Sequence, residues 1–379
     1  MTFPFTFGLY VARRFFVMCL VMLAALTGLV ALFDFIELLR RAATREVGFA
    51  TVATIAGLRV PFVATQVLPF AILLGGILAF WRLARSSELV VARAAGISAW
   101  GFLTGPVIVA TLIGAGATAG LSPLSAAMLA RAERLDAAVL RNQSGTSALA
   151  GGRLWLRQAD RELDPQGVAI LTGRPVAPGS GGAPGTGGTP GFFGLEEVSL
   201  WRISSGDRFL GRVEAPRAAL TNGAWVLEDA IAFGPDRQAS PARTVRFPTE
   251  LTPERIEDSF ASPDTLSFWV LPDFIAVLEN SGFSAVRHRL QFHSLLALPM
   301  LAVAMALLSA GFSMREARKG GVAQMLGAGV AAGFALFLLD RVTGEFGETG
   351  TLPVVLAAWA PAMAGLMCAV ALLLHLEDG

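Results

Sequence analysis

Residues 60–81 read VPFVATQVLPFAILLGGILAFW, 22 consecutive residues without a charged side chain. An α-helix rises about 1.5 Å per residue, so this run is long enough to cross a hydrocarbon core roughly 30 Å thick. Four further blocks have the same character: Phe15–Phe33, Ser294–Met314, Gly320–Leu339 and Thr349–Leu374. A sixth lies within Ala94–Ala130, which is uncharged throughout. There a span over Ile97–Leu121 is expected to stop at Ser122-Pro123. Its tail should continue as a helix whose Arg131, Glu133, Arg134, Asp136 and Arg141 mark the exit from lipid. Six spans put both termini on one side of a membrane. The first block follows Arg13 and Arg14, exceeds the apolar core of a signal peptide and precedes no small-x-small cleavage pattern, so it reads as a retained span.

Composition agrees. Of 379 residues 54% are apolar and 16% charged, and mean hydropathy is +0.60; a soluble chain carries about 25% charged residues. A net charge of +1 excludes a polycationic nucleic-acid binder. Cys19 and Cys368, the only cysteines, sit in apolar runs, which excludes a disulfide framework and a Cys-rich metal site. Lys319 is the only lysine among 30 basic residues, and Gly320 follows it. A GxxxxGK[ST] phosphate loop therefore cannot occur in this chain.

Between the third and fourth spans the pattern changes. Residues 144–265 carry a net charge of −3, the rest of the chain +4. Short runs suited to strands occur at Arg153–Arg157, Val168–Thr172, Val198–Ile203, Phe209–Val213, Ala224–Leu227 and Thr244–Phe247. Turn residues separate them, as in Ser205-Gly206-Asp207 and Thr221-Asn222-Gly223. The spacing predicts a small β-sandwich or jelly-roll-like domain. Gly173–Gly191, mainly Gly, Pro, Ser, Thr and Ala, reads as a flexible surface loop. The expected organisation is spans 1–3 over residues 1–143, the β domain over 144–265, and spans 4–6 over 266–379. On the N-terminal side the short loops hold eight basic residues, against five on the other side, which favours cytoplasmic termini and an external β domain.

Catalytic chemistry is sparse. His288, His293 and His375 form no HExxH pair, no G-x-S-x-G elbow occurs, and the span centres lack ionisable residues. No catalytic residue, metal site or cofactor is assigned. Asp34, Glu37 and Asp340, at span ends, read as solvated anchors. Three other features stand out. The segment from Arg82 to Gly96 suits a short amphipathic helix, near 83–97, with Arg85, Glu88 and Arg93 polar and Leu83, Val90 and Ala94 toward the membrane. It is either a juxtamembrane anchor or a dock for a cytoplasmic partner. Gly101/Gly105, Gly116/Gly120 and Gly329/Gly333 are small-xxx-small pairs that favour close helix approach. Arg40, Arg41 and Arg45 cluster at the outer end of the first span, where guanidinium groups suit phosphate.

Residues 83–98, LARSSELVVARAAGIS, contain a Ser-Glu-Leu-x6-Gly core. This segment is similar to the one between spans two and three of the YjgP/YjgQ family of lipopolysaccharide-export permeases. Asn280-Ser-Gly282, Arg287, Pro299, Phe312 and Arg315 are similar too, as is the three-span, β-domain, three-span order. Leu251-Thr-Pro253 and Pro263-Asp-x-Leu266 resemble the LptG branch more than the paralogous LptF branch. The resemblance implies an α-helical protein of the bacterial inner membrane, with six transmembrane helices and an inserted, periplasmic all-β domain.

It further implies an ATP-driven ABC transporter that extracts lipopolysaccharide from the outer leaflet. The chain would pair with an LptF-type subunit and be driven by an LptB-type cytoplasmic ATPase dimer. The lipid would pass to a bridge of LptC/LptA-type proteins. Arg82, Arg85, Glu88 and Arg93 would then belong to the coupling helix, and Arg40 and Arg41 would face lipid phosphates. Membrane lipid is an expected contact and nucleic acid is not. Relatives can carry a basic residue at Asp34 and another near Leu295; their absence here implies a lipid with fewer or differently placed phosphates. The rival reading is a membrane-anchored periplasmic scaffold without transport, which would form a tightly closed bundle. A membrane hydrolase is a third, lacking its catalytic constellation.

Overall fold

The computed structural model describes residues 5–43, 47–86, 88, 99–137, 147–150, 153–160, 167–176, 193–206, 208–221, 223–236, 238–249, 262–280, 284–316 and 322–377. The chain divides into two compact units. One comprises Met1–Leu140, Asp264–Leu271 and Val286–Gly379; the other comprises Arg141–Pro263 and Pro272–Ala285.

The first unit is helical. It contains α1 (Phe5–Ala43), α2 (Phe49–Arg85), α3 (Ala99–Gly116), a π-turn (Ala117–Leu121) and α4 (Ser122–Asp136). After the second unit's strands and the helix α5 (Leu271–Asn280) come α6 (Val286–Glu316), α7 (Val322–Glu348) and α8 (Val354–Glu377). Among the described residues, six helical segments are long and apolar enough to cross a membrane, with α3, the π-turn and α4 forming one of them. Each overlaps one of the apolar blocks, so the expected six spans stand.

The join at Ser122-Pro123 is a π-turn rather than a full break. Pro123 has no N–H to give the carbonyl of Ala119 four residues earlier. The indole Nε1 of Trp269 donates to that carbonyl instead, at 3.1 Å. Beside it, the backbone N–H of Phe268 donates to Ser122 Oγ at 3.1 Å, and the Phe268 ring stacks on Phe292. The Thr118 hydroxyl, within the turn, reaches the carbonyl of Leu295 on α6 at 2.7 Å.

Packing is uneven across the six spans. α6 contacts α2, α3, α7 and α8, while α1 packs on α2 and α3. In the most apolar stretch of each span, 67% of α6 is buried, but only 17% of α1 and 17% of α7. The main helical core gathers Phe15, Ile72, Ile77, Phe80, Leu83, Phe102, Met305 and Ala306, with neighbours from α1, α2, α3, α6 and α8. At 39 residues α1 is about 58 Å long, well beyond the bilayer core. Its C-terminal end therefore needs other cover. A separate small core supplies it: Leu38 and Ala42 meet Val52 and Ile55 of α2 and Ala132 of α4.

The second unit is a seven-stranded antiparallel sheet, β1 (Ser147–Ala150), β2 (Arg153–Ala159), β3 (Val168–Val176), β4 (Phe193–Ile203), β5 (Phe209–Thr221), β6 (Ala224–Phe233) and β7 (Arg243–Pro248). All six expected runs fall inside strands. The strands follow one another in simple meander order, a plainer connectivity than paired Greek keys. Yet the sheet is not flat. In a flat sheet β2 and β7 would lie about 24 Å apart, five steps of roughly 4.8 Å. Here Gln158 of β2 donates to the Pro248 carbonyl at 3.0 Å and accepts from Thr249 Oγ1 at 2.7 Å.

The curl follows interruptions in the ladder. Register shifts fall between Thr172 and Arg174 and between Leu227 and Ala230, and Glu197 and Asp229 adopt positive φ of 52° and 50°. Arg153 steadies the first of these residues, donating to its carboxylate at 3.0 Å and its carbonyl at 2.7 Å. The sheet thus wraps a core of Leu156, Leu171, Leu200, Trp225, Leu227 and Phe247. Arg202 forms a two-pronged pair with the fully buried Asp160, both bonds 2.6 Å, and lies over Phe247. α5 follows the expected end of the β domain in sequence but packs with it, placing Phe274, Ile275 and Leu278 against the same core. Residues 173–176, the start of the stretch expected to be a flexible loop, instead continue β3, with 174–176 paired to β4. The rest of that stretch (177–191) lies outside the described residues, as do 251–253 and 281–283.

Candidate functional site

Two clusters of charged side chains lie at opposite ends of α1. Near its N-terminal end, α2 finishes with Arg82 and Arg85, and the Ser86 backbone N–H caps the last turn by donating to the Arg82 carbonyl at 3.1 Å. Arg82 Nη1 donates to the Met18 thioether at 3.3 Å, and the Arg85 guanidinium lies over the Trp81 ring. Glu88 Oε1 accepts from Ser86 Oγ at 2.9 Å and from Tyr10 Oη at 3.4 Å, with Arg14 Nη1 3.8 Å away. Of the expected coupling residues, Arg82, Arg85 and Glu88 thus lie where the N-terminal end of α1 meets the C-terminal end of α2. Arg93 and the rest of that segment, apart from Glu88 and the part up to Ser86, lie outside the described residues.

At the other end of α1, Arg40 and Arg41 are exposed and both engage Glu37. Arg45 lies outside the described residues. Asp34 is more than a solvated anchor. Its carboxylate accepts from Arg59 Nη1 at 3.3 Å, and Arg59 Nη2 lies 3.7 Å from Asp136 on α4, which is only 1% exposed. One guanidinium therefore joins the ends of α1, α2 and α4. Sequence reasoning missed this clasp. Its only signal was a lone arginine beside an apolar run, with no sign of which helices would meet it.

The small-residue pairs divide by use. A side chain at Gly105 would meet the Gly8 carbonyl at 2.6 Å, so α3 approaches α1 there. Gly329 and Gly333 of α7 face Ile77, Leu73 and Phe70 of α2. A methyl group at Gly116 or Gly120 would meet nothing within 4 Å among the described residues. α1 and α7, both packed on α2, leave apolar faces uncovered: Phe16, Leu20 and Phe33 on α1, and Phe334, Leu338 and Phe346 on α7. No group of three or more His, Cys, Asp or Glu side chains able to hold a metal occurs among the described residues.

Such a molecule offers lipid-facing surface, cationic ends and no constellation for bond chemistry among its described side chains. Known proteins are similar to it in sequence. The chain is 22% identical over 379 residues to the lipopolysaccharide export system permease protein LptG of Escherichia coli strain K12, covering 97% of each. It matches LptG of Escherichia coli O6:H1 at the same identity and coverage. Residues 9–375 match the family described as lipopolysaccharide export system permease LptF/LptG. Nearly the whole chain is included in that match, and the chain belongs to the LptF/LptG permease family.

Proposed function

We propose that this chain is an LptG-type permease subunit of an ATP-driven transporter that lifts lipopolysaccharide out of the outer leaflet of the inner membrane. The observation that carries this reading is the exposure of α1 and α7. These are the two least buried spans, and both keep large apolar side chains turned away from their own bundle. A closed scaffold would bury them. A half-transporter needs them free, to form a lipid-sized cavity with a second, LptF-type subunit.

The remaining roles follow from the charges. Six membrane-length helices and the family make this a multi-pass inner-membrane protein. In this reading the termini are cytoplasmic and the β unit is periplasmic, continuing into LptC/LptA-type bridge proteins. Arg40 and Arg41 meet lipid phosphates at the outer end of α1. Arg82, Arg85, Glu88 and Arg93 form the dock for an LptB-type ATPase dimer. That partner supplies the energy, since the only lysine is not in a phosphate loop.

Reconstitution tests this. The purified chain should hydrolyse no ATP, and hydrolysis should appear when the LptB-type and LptF-type subunits are added. Glu88→Ala or Arg85→Glu should lower recovery of the ATPase in pull-downs. ATP hydrolysis by the isolated chain, or unchanged assembly and transport in both variants, would overturn the reading.

A further inference from the structure

We propose that Tyr10 and Arg14 of α1 latch onto Glu88 and carry displacement of that residue directly into the first span, an inference that rests on Glu88 belonging to the ATPase dock. Tyr10 and Arg14 are four residues apart, so they share one helix face. The Arg14 guanidinium lies 5.1 Å from the centre of the Tyr10 ring, and both side chains converge on Glu88 Oε1. The other oxygen, Oε2, is buried and has no hydrogen-bond partner among the described residues. Glu88 is thus held through one oxygen, which ties it to Ser86 at the end of α2 and to Tyr10 and Arg14 of α1 at once.

Behind the latch the connection is stiff. Val11 and Phe15 are fully buried, and Phe15 packs on Phe80 of α2 with ring centres 5.9 Å apart. Further along, a side chain at Gly75 would lie 2.7 Å from the Cys19 Cα, so the two backbones are in close contact. Displacement at Glu88 therefore reaches α1 without crossing α6, the most buried span. α1 is a span with little else to hold it on its uncovered face. Tyr10 and Arg14 are positioning residues: they touch neither nucleotide nor lipid in this scheme.

Tyr10 is the only tyrosine in the chain. Full-length chain carrying 3-fluorotyrosine therefore gives a single fluorine resonance, even when assembled with unlabelled ATPase and partner permease. The latch predicts that Glu88→Gln shifts this resonance and that ATP added to the assembled wild type shifts it as well. In proteoliposomes containing lipopolysaccharide, Tyr10→Phe with Arg14→Gln should leave ATPase recovery unchanged. Lipid released per ATP hydrolysed should fall about two- to fivefold, the scale of an exposed charged contact. Arg14→Lys should restore most of it. Normal release per ATP in the double variant, with a resonance indifferent to ATP, overturns the latch but leaves the dock intact if Glu88→Ala still loses the ATPase. Full ATPase recovery in Glu88→Ala overturns the dock, and the latch with it.

Discussion

Arg40 closes Nε and Nη2 onto the two carboxylate oxygens of Glu37, each at 2.9 Å, and Arg41 Nε reaches Oε1 of the same group at 3.0 Å. The three side chains together carry one positive charge rather than two, and the forked edge of Arg40 is already occupied. A phosphate that takes this edge must displace Glu37. The expected result is that Glu37→Gln raises crosslinking to lipopolysaccharide from a photoreactive residue placed beside Arg40, by about two- to fivefold. Arg40→Ala with Arg41→Ala should lower it. The same yield in wild type and Glu37→Gln would argue that the carboxylate does not compete with lipid.

Arg59 supports a buried acid. Removing it takes this cation away from Asp136, in a place almost closed to water. Arg59→Leu is expected to cost about 1–3 kcal/mol. Asp34→Ala should cost less, because Asp34 is the more exposed partner of the clasp. Thermal unfolding of the detergent-solubilised chain measures both; equal small effects would mean the clasp adds little.

Two glycines make a matched pair for a packing test. A methyl at Gly75 would meet backbone atoms of Cys19 and Met18 at 2.7–2.9 Å, which cannot swing aside. Gly75→Ala should therefore destabilise by about 1–3 kcal/mol. Gly116→Ala meets nothing within 4 Å among the described residues and should leave the isolated chain's melting unchanged. Any loss from Gly116→Ala that appears only in the assembled transporter would locate a partner at that face.

Burial pushes the carboxyl of Asp264 above its ordinary pKa. The folded chain then keeps this proton to higher pH than the unfolded chain does. The group's contribution to stability is full below the unfolded pKa and is lost as pH rises through the folded one. Asp264→Asn should remove this part of the pH dependence, so the melting temperature falls less between acid and neutral pH than in wild type. Parallel curves would mean the carboxyl does not titrate differently on folding.

Spans and strands were legible because their signals are local. The charge-free run at 60–81 and the short apolar run at 224–227, set off by Thr221-Asn222-Gly223, report their own environments without reference to the rest of the chain. β1, with the bland sequence Ser147–Ala150, carries no such pattern. Partners at long range were the least legible. Nothing near Arg59 in sequence names Asp136, and nothing in Leu271–Asn280 reveals that its apolar stripe covers a sheet rather than lipid. Arg40 and Arg41 stand out by their chemistry, but the acid that occupies them reads in sequence as an independent anchor. Whether a charge is free depends on side-chain geometry that spacing alone leaves open.

The unequal helix lengths bear on hydrophobic mismatch. The first three spans each run 37 residues, about 55 Å, and their protruding ends are held by a small core of their own. They tolerate a thicker or thinner bilayer by sliding along the membrane normal. α7 and α8, at 27 and 24 residues, are about 40 and 36 Å long and exceed a bilayer core by much less. A thicker bilayer would therefore be met at α7 and α8 by local thinning around them or by snorkelling of flanking side chains, since tilt only shortens a span.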